Sequence, residues 1–210
     1  MPRRPKNSTL ADTNTAPEKK RNAQLTRERL IAAAQVCFTH NSFEHVGIRD
    51  IAEKAGVNST LIARYFGSKQ GLFEEAICTQ FGFPEELVAN TPAEFGRALA
   101  EWALAPHPET EFKLLLALIH SAPSAVAGPL LVKYFDKRVV EPMAKHIGGE
   151  KALLRSGMIH ALTLGMSVMH DVMQSKSLTK ANYNAMIDLF TKLFETCLTT
   201  DFGSKKSANR

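Results

Sequence analysis

The stretch Ile48–Lys69, IRDIAEKAGVNSTLIARYFGSK, decides the fold of this chain. Apolar residues recur in its first half with the spacing of one helix face, at Ile48, Ile51, Ala52 and Ala55. Gly56 then supplies a residue that adopts positive φ at little cost, which the end of a helix often requires. The stretch therefore predicts a helix over about residues 48–55, with its apolar face buried, followed by a turn.

The second half of the stretch predicts a short helix over about residues 59–65. Ile62 and Phe66 are expected to face the core, which leaves the polar residues of this helix outside. Two helices joined by a glycine turn and braced by a third form the helix-turn-helix arrangement, whose second helix enters the major groove of DNA. Arg64 then offers a fork of hydrogen bonds to guanine or to phosphate. The alternative is a short exposed helix with a solvated polar face.

The positive charge of the chain is concentrated near its N-terminus. Residues 1–69 carry 12 Lys and Arg against 6 Asp and Glu, whereas the remainder carries 14 against 15. A basic N-terminal third fits attraction to a polyanion, and nucleic acid fits better than a membrane surface. A merely solubilising surface has the same charge and remains an alternative.

Composition excludes several classes of protein. The three cysteines, Cys37, Cys78 and Cys197, are far apart and odd in number, which indicates a reducing compartment rather than a disulfide framework or zinc site. No N-terminal run resembles a signal peptide, and no apolar stretch is predicted to span a bilayer. We therefore expect a cytoplasmic protein with no membrane partner, no metal and no cofactor. A helical-bundle enzyme is a remote alternative, because the sequence has no HExxH, no G-x-S-x-G and no glycine-rich phosphate loop.

Helical periodicity continues from Leu25 almost to the C-terminus and predicts an all-α protein of about nine helices. Thr26 is the expected N-cap of the first helix. Thr91, followed by Pro92 and Glu94, predicts a capped helix start after a domain boundary near Gly82. The predicted organisation is a flexible basic arm (1–24), a helix-turn-helix domain (25–82), a second helical domain (83–200) and a flexible tail (201–210).

The run Thr26–Ile77 closely resembles the DNA-binding domain of the tetracycline-repressor (TetR) family. The resemblance rests on RDIAEKAGV, on the YF.SK pattern of Tyr65–Lys69 and on the following Leu72-Phe73. It implies that Tyr65 and Lys69 contact the DNA backbone, that residues 58–64 form the recognition segment and that Arg49 assists from the preceding helix. Together with the first helix start, the DNA-binding candidates are Thr26, Arg49, Asn58, Ser59, Thr60, Arg64, Tyr65 and Lys69.

Three positions depart from the pattern of that family. Gly47 stands where a capping Thr or Ser is usual, Ala63 stands where an aromatic residue is common, and Leu61 often corresponds to Thr. The DNA sequence that this chain binds therefore cannot be copied from a relative. The basic arm, which contains Arg3, Arg4, Lys6, Lys19, Lys20 and Arg21, either adds DNA contacts or is a solubilising leader.

The C-terminal two-thirds carries a candidate dimer interface. Gly157, Ala161 and Gly165 recur every four residues, a spacing that lets a partner backbone approach closely. The last helix adds an apolar stripe at Met186, Leu189, Phe190 and Leu193. The resemblance implies that two such helices from each subunit form a four-helix interface. The alternative is that both stripes pack within one chain.

The resemblance also implies a small-molecule pocket in this domain. The candidate lining residues are Phe95, Trp102, Phe112, His120, Tyr134, Met166, Met169 and His170. Apolar walls with few polar groups suit a largely hydrophobic effector, although each of these residues also fits a plain core. The expected function is a ligand-responsive repressor that binds a palindromic operator as a homodimer. The alternatives are an effector-independent DNA-binding regulator and an activator.

Overall fold

The computed structural model describes residues 15–88, 91–105, 113–200 and 202, and within these ranges the chain is helical without strands. The helices are α1 (Thr15–His40), α2 (Ile48–Ala55), α3 (Thr60–Phe66), α4 (Lys69–Ala76), α5 (Pro92–Leu104), α6 (Leu114–Ser121), α7 (Ala127–Phe135), α8 (Glu141–Ile147), α9 (Ala152–Ser167) and α10 (Tyr183–Thr199). A π-helical turn, Asp136–Val140, joins α7 to α8 without a break. Counting these two as one, the described ranges contain nine α-helical rods, and the all-α prediction is confirmed.

The first hydrophobic core lies among α1, α2, α3 and α4. The ring of Phe73 from α4 makes edge-to-face contacts with Phe38 and Phe43, with centroid separations of 4.9 Å and 5.3 Å. Ala117 from α6 and Leu131 from α7 are buried in the same cluster. The helix-turn-helix unit therefore shares its core with two helices of the C-terminal part, so displacement of α6 or α7 would disturb its packing.

The second core lies among α5, α8, α9 and α10. α5 packs along α10, and a Cβ added at Gly96 would lie 3.2 Å from the carbonyl oxygen of Thr191. Phe95, Ile159 and Phe194 are buried in this cluster. The absence of a side chain at Gly96 thus permits the close approach of α5 and α10.

The first helix begins earlier than the sequence predicts. α1 starts at Thr15, so the predicted flexible arm is wrong for residues 15–24, while residues 1–14 lie outside the described residues. Thr26 is not an N-cap, because it lies inside α1 and its hydroxyl donates to the carbonyl of Asn22 at 2.8 Å. Residues 18–25 are rich in Glu, Lys, Arg, Ala and Gln, which favour helix without requiring burial. Of the predicted tail, only Phe202 is described.

α2 follows the prediction closely. It spans Ile48–Ala55, and Gly56 ends it in the left-handed conformation at φ 64°. Ile51, Ala52 and Ala55 are buried, but the prediction of a buried Ile48 is wrong, since this side chain is 43% exposed. Ile48 is the first residue of α2 and lies at the exposed start of the helix.

The helical rod Ala152–Val172 contradicts the expectation that no apolar stretch is long enough to span a bilayer. It comprises α9 and the π-helical turn Val168–Val172, and by length and composition alone it satisfies the criterion for a membrane span, with a mean hydropathy of 1.2. One such helix is weak evidence for a membrane, because helices of soluble proteins satisfy the same criterion. The rod contains the buried Arg155, which donates to the carbonyls of Leu198 and Gly148 and so caps the ends of α10 and α8.

His160 of α9 is half-buried beside the π-helical turn that precedes α8, and its Nε2 atom is enclosed by the protein. Its ring lies 5.5 Å from that of Phe135, and its Nε2 has no hydrogen-bond partner among the described residues. Burial lowers the pKa of His160 to about 4, against the opposing effect of a hydrogen bond with the backbone of Val139. The imidazole is therefore neutral in the folded protein at neutral pH.

We expect this histidine to make the protein less stable in mild acid. The ordinary pKa is 6.5 and the folded one is about 4, so between these values the unfolded state binds more protons and stability falls as the pH falls. The free energy of unfolding should decrease by about 2 kcal/mol from this residue between pH 7 and pH 5. Urea denaturation of the wild type and His160→Leu across this range measures the difference. An unchanged pH dependence in the variant would contradict the assignment.

Candidate nucleic-acid interface

α3 is held on the first core by one face and exposes the other. Ile62 is buried, whereas Thr60, Ala63 and Arg64 are exposed. The turn before α3 is closed by the amide of Val57, which donates to the carbonyl of Ala52 at 2.9 Å. The chain thus presents a short helix with a polar outer face, fixed relative to α2 by a tight turn.

The side chain of Asn58 forms hydrogen bonds at the start of α3. Its Oδ1 accepts hydrogen bonds from the amide of Thr60 at 2.9 Å and from the Thr60 hydroxyl at 2.8 Å. The Asn58 side chain therefore caps the start of α3 by accepting from its first backbone amide. Its side-chain NH₂ group is still available to a partner, and Ser59 beside it is half-buried.

Arg64 and Tyr65 lie side by side at the end of α3. The guanidinium carbon of Arg64 lies 5.9 Å from the centroid of the Tyr65 ring, and Arg64 forms no ion pair with the described residues. Tyr65 is half-buried and packs edge-to-face on Phe66. The phenol holds the guanidinium in an exposed position, where it can donate to a base or phosphate.

Lys69 is the first residue of α4 and is anchored by an aromatic ring. Its Nζ lies 4.4 Å from the centroid of the Phe43 ring. Partial burial lowers the pKa of Lys69, an effect that the nearby carboxylate of Glu44 opposes. Ser68 caps the same helix by accepting a hydrogen bond from the amide of Gly71 at 3.0 Å. The ammonium group and the free amides at the start of α4 both suit a phosphate.

Gly71 was not singled out from the sequence, yet it sets the distance between α3 and α4. A Cβ at this position would lie 2.1 Å from the carbonyl oxygen of Phe66, the last residue of α3. Only glycine fits such a contact without movement of the backbone. Its signal in the sequence is weak, because a glycine inside a helix has no pattern of its own.

The remaining candidates lie on the two other helices of the unit. Arg49 is exposed on α2, and Thr26 is half-buried inside α1. Tyr65 is brought close to the N-terminal part of α1, where it shares a groove with Lys20 and Arg27.

Polar contacts join this unit to α6, α7 and the turn after α7. Thr39 of α1 is buried, its carbonyl accepts from Nδ1 of His120 at 2.9 Å, and its hydroxyl accepts from the amide of Lys113 at 3.1 Å. The hydroxyl of Tyr134 donates to Glu74 of α4 at 2.9 Å, and this bond, followed by burial, raises the pKa of Tyr134. These contacts were not predicted, because they join residues separated by 60 or more positions in the sequence.

Comparison with known families accounts for both parts of the chain. The model described as "Bacterial regulatory proteins, tetR family" matches residues 30–76, and the model described as "Tetracyclin repressor-like, C-terminal domain" matches residues 93–198. The chain belongs to the TetR family. It is therefore a DNA-binding transcriptional regulator, and membership of this family implies a regulator rather than an enzyme.

Solved structures of TetR-family regulators share the fold. A putative TetR-family regulator from Rhodococcus sp. superposes with a TM-score of 0.63 at 16% identity, covering 84% of this chain and 100% of the other. NalD, the secondary repressor of the MexAB-OprM multidrug efflux pump in Pseudomonas aeruginosa, gives 0.61 at 17% identity over 82% and 96%. A regulator from Streptomyces coelicolor A3 gives 0.53 at 22% identity over 84% and 96%. No curated protein sequence matches the chain.

The residues proposed for an effector pocket do not converge in this TetR-family protein. Phe95 and Met166 lie in the second core, whereas Tyr134 and His120 pack at the junction with the first. Trp102 and Met169 are exposed, at 45% and 39%, and His170 is half-buried and donates through Nδ1 to Asp171 at 2.7 Å. Phe112 lies outside the described residues. The expected single pocket is thus divided between two regions, a separation that helical periodicity does not reveal.

The residues proposed for a TetR-type dimer interface divide into two groups. Leu189 and Leu193 are 61% and 44% exposed on α10, and methyl groups added at Gly157 or Gly165 of α9 would meet open space. Ala161 is exposed on the same helix. Met186, in contrast, is 5% exposed and packs inside its own chain, as does most of Phe190. The stripe is therefore narrower than predicted.

Proposed function

We propose that this protein is a ligand-responsive repressor that binds a palindromic operator as a homodimer. The observation that carries the proposal is the exposed Arg64 of α3, flanked by Tyr65 and by Lys69 at the start of α4. A guanidinium supplies base or phosphate contacts, and a phenol and an ammonium group supply backbone contacts that fix the register. These groups stand on elements buried in one core, which keeps their geometry rigid.

The homodimer is supported by the uncovered apolar face of α9 and α10. These two helices contact each other, and each exposes large apolar side chains. The exposed members are Leu153, Leu154, Met158 and Leu164 on α9 and Leu189 and Leu193 on α10. Large apolar side chains exposed on two helices in contact are typical of an interaction surface, and the open space at Gly157 and Gly165 allows a partner helix to approach closely. A second copy of the chain covers it in the proposed assembly, and a two-fold dimer matches a palindromic site.

Response to an effector is proposed from the contacts between the two cores. α7 runs without a break into α8, so one rod spans from the second core to Tyr134, which holds Glu74 of α4. α4 in turn carries Lys69 at its DNA-facing end. The dimer has one state in which the two α3 helices fit DNA and another in which their spacing does not. An effector bound in the C-terminal part favours the second state, and the size of the shift is set by the difference between its affinities for the two states.

The proposal also covers the location of the protein, its lack of catalytic activity and its effect on transcription. We place the protein in the cytoplasm, where its DNA lies, and assign it no catalytic activity. NalD, which has the same fold, is a repressor, whereas activation and effector-independent regulation remain the competing functions. The position of the operator relative to a promoter decides between repression and activation.

The DNA-binding role is tested by Arg64→Ala. Binding is measured by fluorescence anisotropy on the DNA upstream of the coding region and on sites selected from random DNA by the wild type. We expect the variant to bind each half-site about 30-fold more weakly and to discriminate less at the base that Arg64 contacts, because one good base contact contributes about 2 kcal/mol. Arg97→Ala, which removes an exposed arginine of α5, is the matched control and should leave affinity unchanged.

Two results would count against the proposal. If selection returns no preferred sequence, or if Arg64→Ala and Arg97→Ala bind alike, α3 does not read DNA as proposed. The response to an effector is tested with compounds that raise the melting temperature of the protein and therefore bind to it. Each compound is added to the same DNA-binding assay. DNA affinity that stays equal with every bound compound would support an effector-independent regulator.

A further inference from the structure

A groove lies between the first turns of α1 and the end of α3. Its volume is about 550 Å³, and it is lined by Lys20, Arg21, Ala23, Gln24, Arg27 and Tyr65. Tyr65 belongs to α3, next to Arg64, so the groove opens beside the proposed reading surface. The part of α1 that forms its other wall precedes residue 30, where the match to the TetR DNA-binding domain begins.

The cations of the groove differ in their partners. Arg27 forms an ion pair with Glu75, and its guanidinium carbon lies 5.1 Å from the centroid of the Phe66 ring. These contacts fix Arg27 in place and neutralise its charge. Lys20 and Arg21 are exposed and form no ion pair with the described residues. The groove thus has a fixed inner side and two uncompensated positive charges at its outer end.

We propose that this groove binds the phosphodiester backbone of the DNA flanking the site read by α3, with Lys20 and Arg21 as the phosphate ligands. The inference rests on the proposed function. A polyanion is the partner that complements two unpaired cations beside a DNA-reading helix. The ten residues from Lys20 to the buried Leu30 extend about 15 Å as a helix, so Lys20 and Arg21 lie well away from the core of the unit, where they can reach DNA beside the site read by α3.

The proposal separates affinity from specificity. Phosphate contacts carry no sequence information, so Lys20 and Arg21 should strengthen binding to all sequences and increase its salt dependence. The test uses Lys20→Gln/Arg21→Gln and, as the matched control, Lys137→Gln/Lys145→Gln, which removes two exposed lysines at the turn before α8 and in α8. Glutamine keeps helix propensity close to that of lysine and arginine.

Binding is measured across a salt series on a 40-base-pair duplex that carries a site selected by the wild type. We expect the groove variant to bind about 60-fold more weakly per subunit near 0.1 M salt, with a log–log salt slope smaller by about 1.8 per subunit and an unchanged preferred sequence. Shortening the flanks to the bare site should weaken the wild type by a similar factor and leave the groove variant almost unaffected. The control variant should follow the wild type throughout.

The inference is overturned if the groove variant binds the long duplex as tightly as the control, or if both lose equal affinity when the flanks are removed. A changed sequence preference would also overturn it, because Lys20 or Arg21 would then read bases. If selection finds no preferred site at all, the proposed function has failed on its own. The same two variants compared on a random-sequence duplex then decide whether the groove still binds phosphate.

Discussion

Replacing Leu189 and Leu193 by aspartate is expected to produce a monomer that binds a palindromic operator about 1000-fold more weakly than the wild type. Both leucines are exposed on α10, so their replacement leaves the cores of the chain intact. In the proposed dimer the same side chains are buried, and two carboxylates on each subunit would be forced together without partners. The monomer then binds one half-site at a time and loses the gain from the linked second contact. Sedimentation equilibrium gives the mass, and fluorescence anisotropy gives the DNA affinity.

The matched control replaces two exposed apolar residues by aspartate on another surface of the protein. Ile119 of α6 and Val132 of α7 are 40% and 61% exposed, and their replacement by aspartate should leave both mass and affinity unchanged. Circular dichroism confirms that both variants are folded. If Leu189→Asp/Leu193→Asp remains a dimer, the face of α9 and α10 is not the interface. If the wild type is itself monomeric and binds a palindrome with the affinity of a half-site, the homodimer is wrong.

The local elements of this fold were predictable because short-range patterns determine them. The burial of Ile51 and the end of α2 at Gly56 follow from helical periodicity and from the conformational freedom of glycine. The start of α5 follows from the capping box, in which the amide of Glu94 donates to the Thr91 hydroxyl at 3.2 Å and the Thr91 amide donates to the Glu94 carboxylate at 3.2 Å. Each of these signals lies within four residues in the sequence.

The features that the sequence did not reveal depend on distant pairs of residues. Apolar and aromatic residue types alone do not show which candidates share a pocket, and only the packing of helices decides that Phe95 lies in one core and Tyr134 at the edge of the other. The helical start of α1 at Thr15 was missed because an exposed polar helix lacks the apolar period that distinguishes helix from coil. The DNA-binding candidates depended on the family resemblance more than on periodicity, and their roles remain proposals.

Replacing Gly71 by alanine is expected to destabilise the protein by about 3 kcal/mol and to weaken the DNA affinity of the molecules that stay folded. A Cβ would lie 2.1 Å from the carbonyl oxygen of Phe66, which is backbone and cannot rotate away as a side chain does. The end of α3 must therefore move away from α4, and with it Tyr65 moves relative to Lys69. Urea denaturation measures the loss of stability.

Gly82→Ala is the matched control for this change, because an added Cβ there meets nothing within 4 Å. Its effect should lie within about 0.5 kcal/mol of zero, and loss of unfolded-state entropy would make it slightly stabilising. If Gly71→Ala were as stable as Gly82→Ala, α3 and α4 would not be in the contact described. If it were destabilised but its folded fraction bound DNA with unchanged affinity, the positions of Tyr65 and Lys69 relative to each other would not matter for binding. Only a loss of both properties ties the contact at Gly71 to the geometry of the DNA-binding surface.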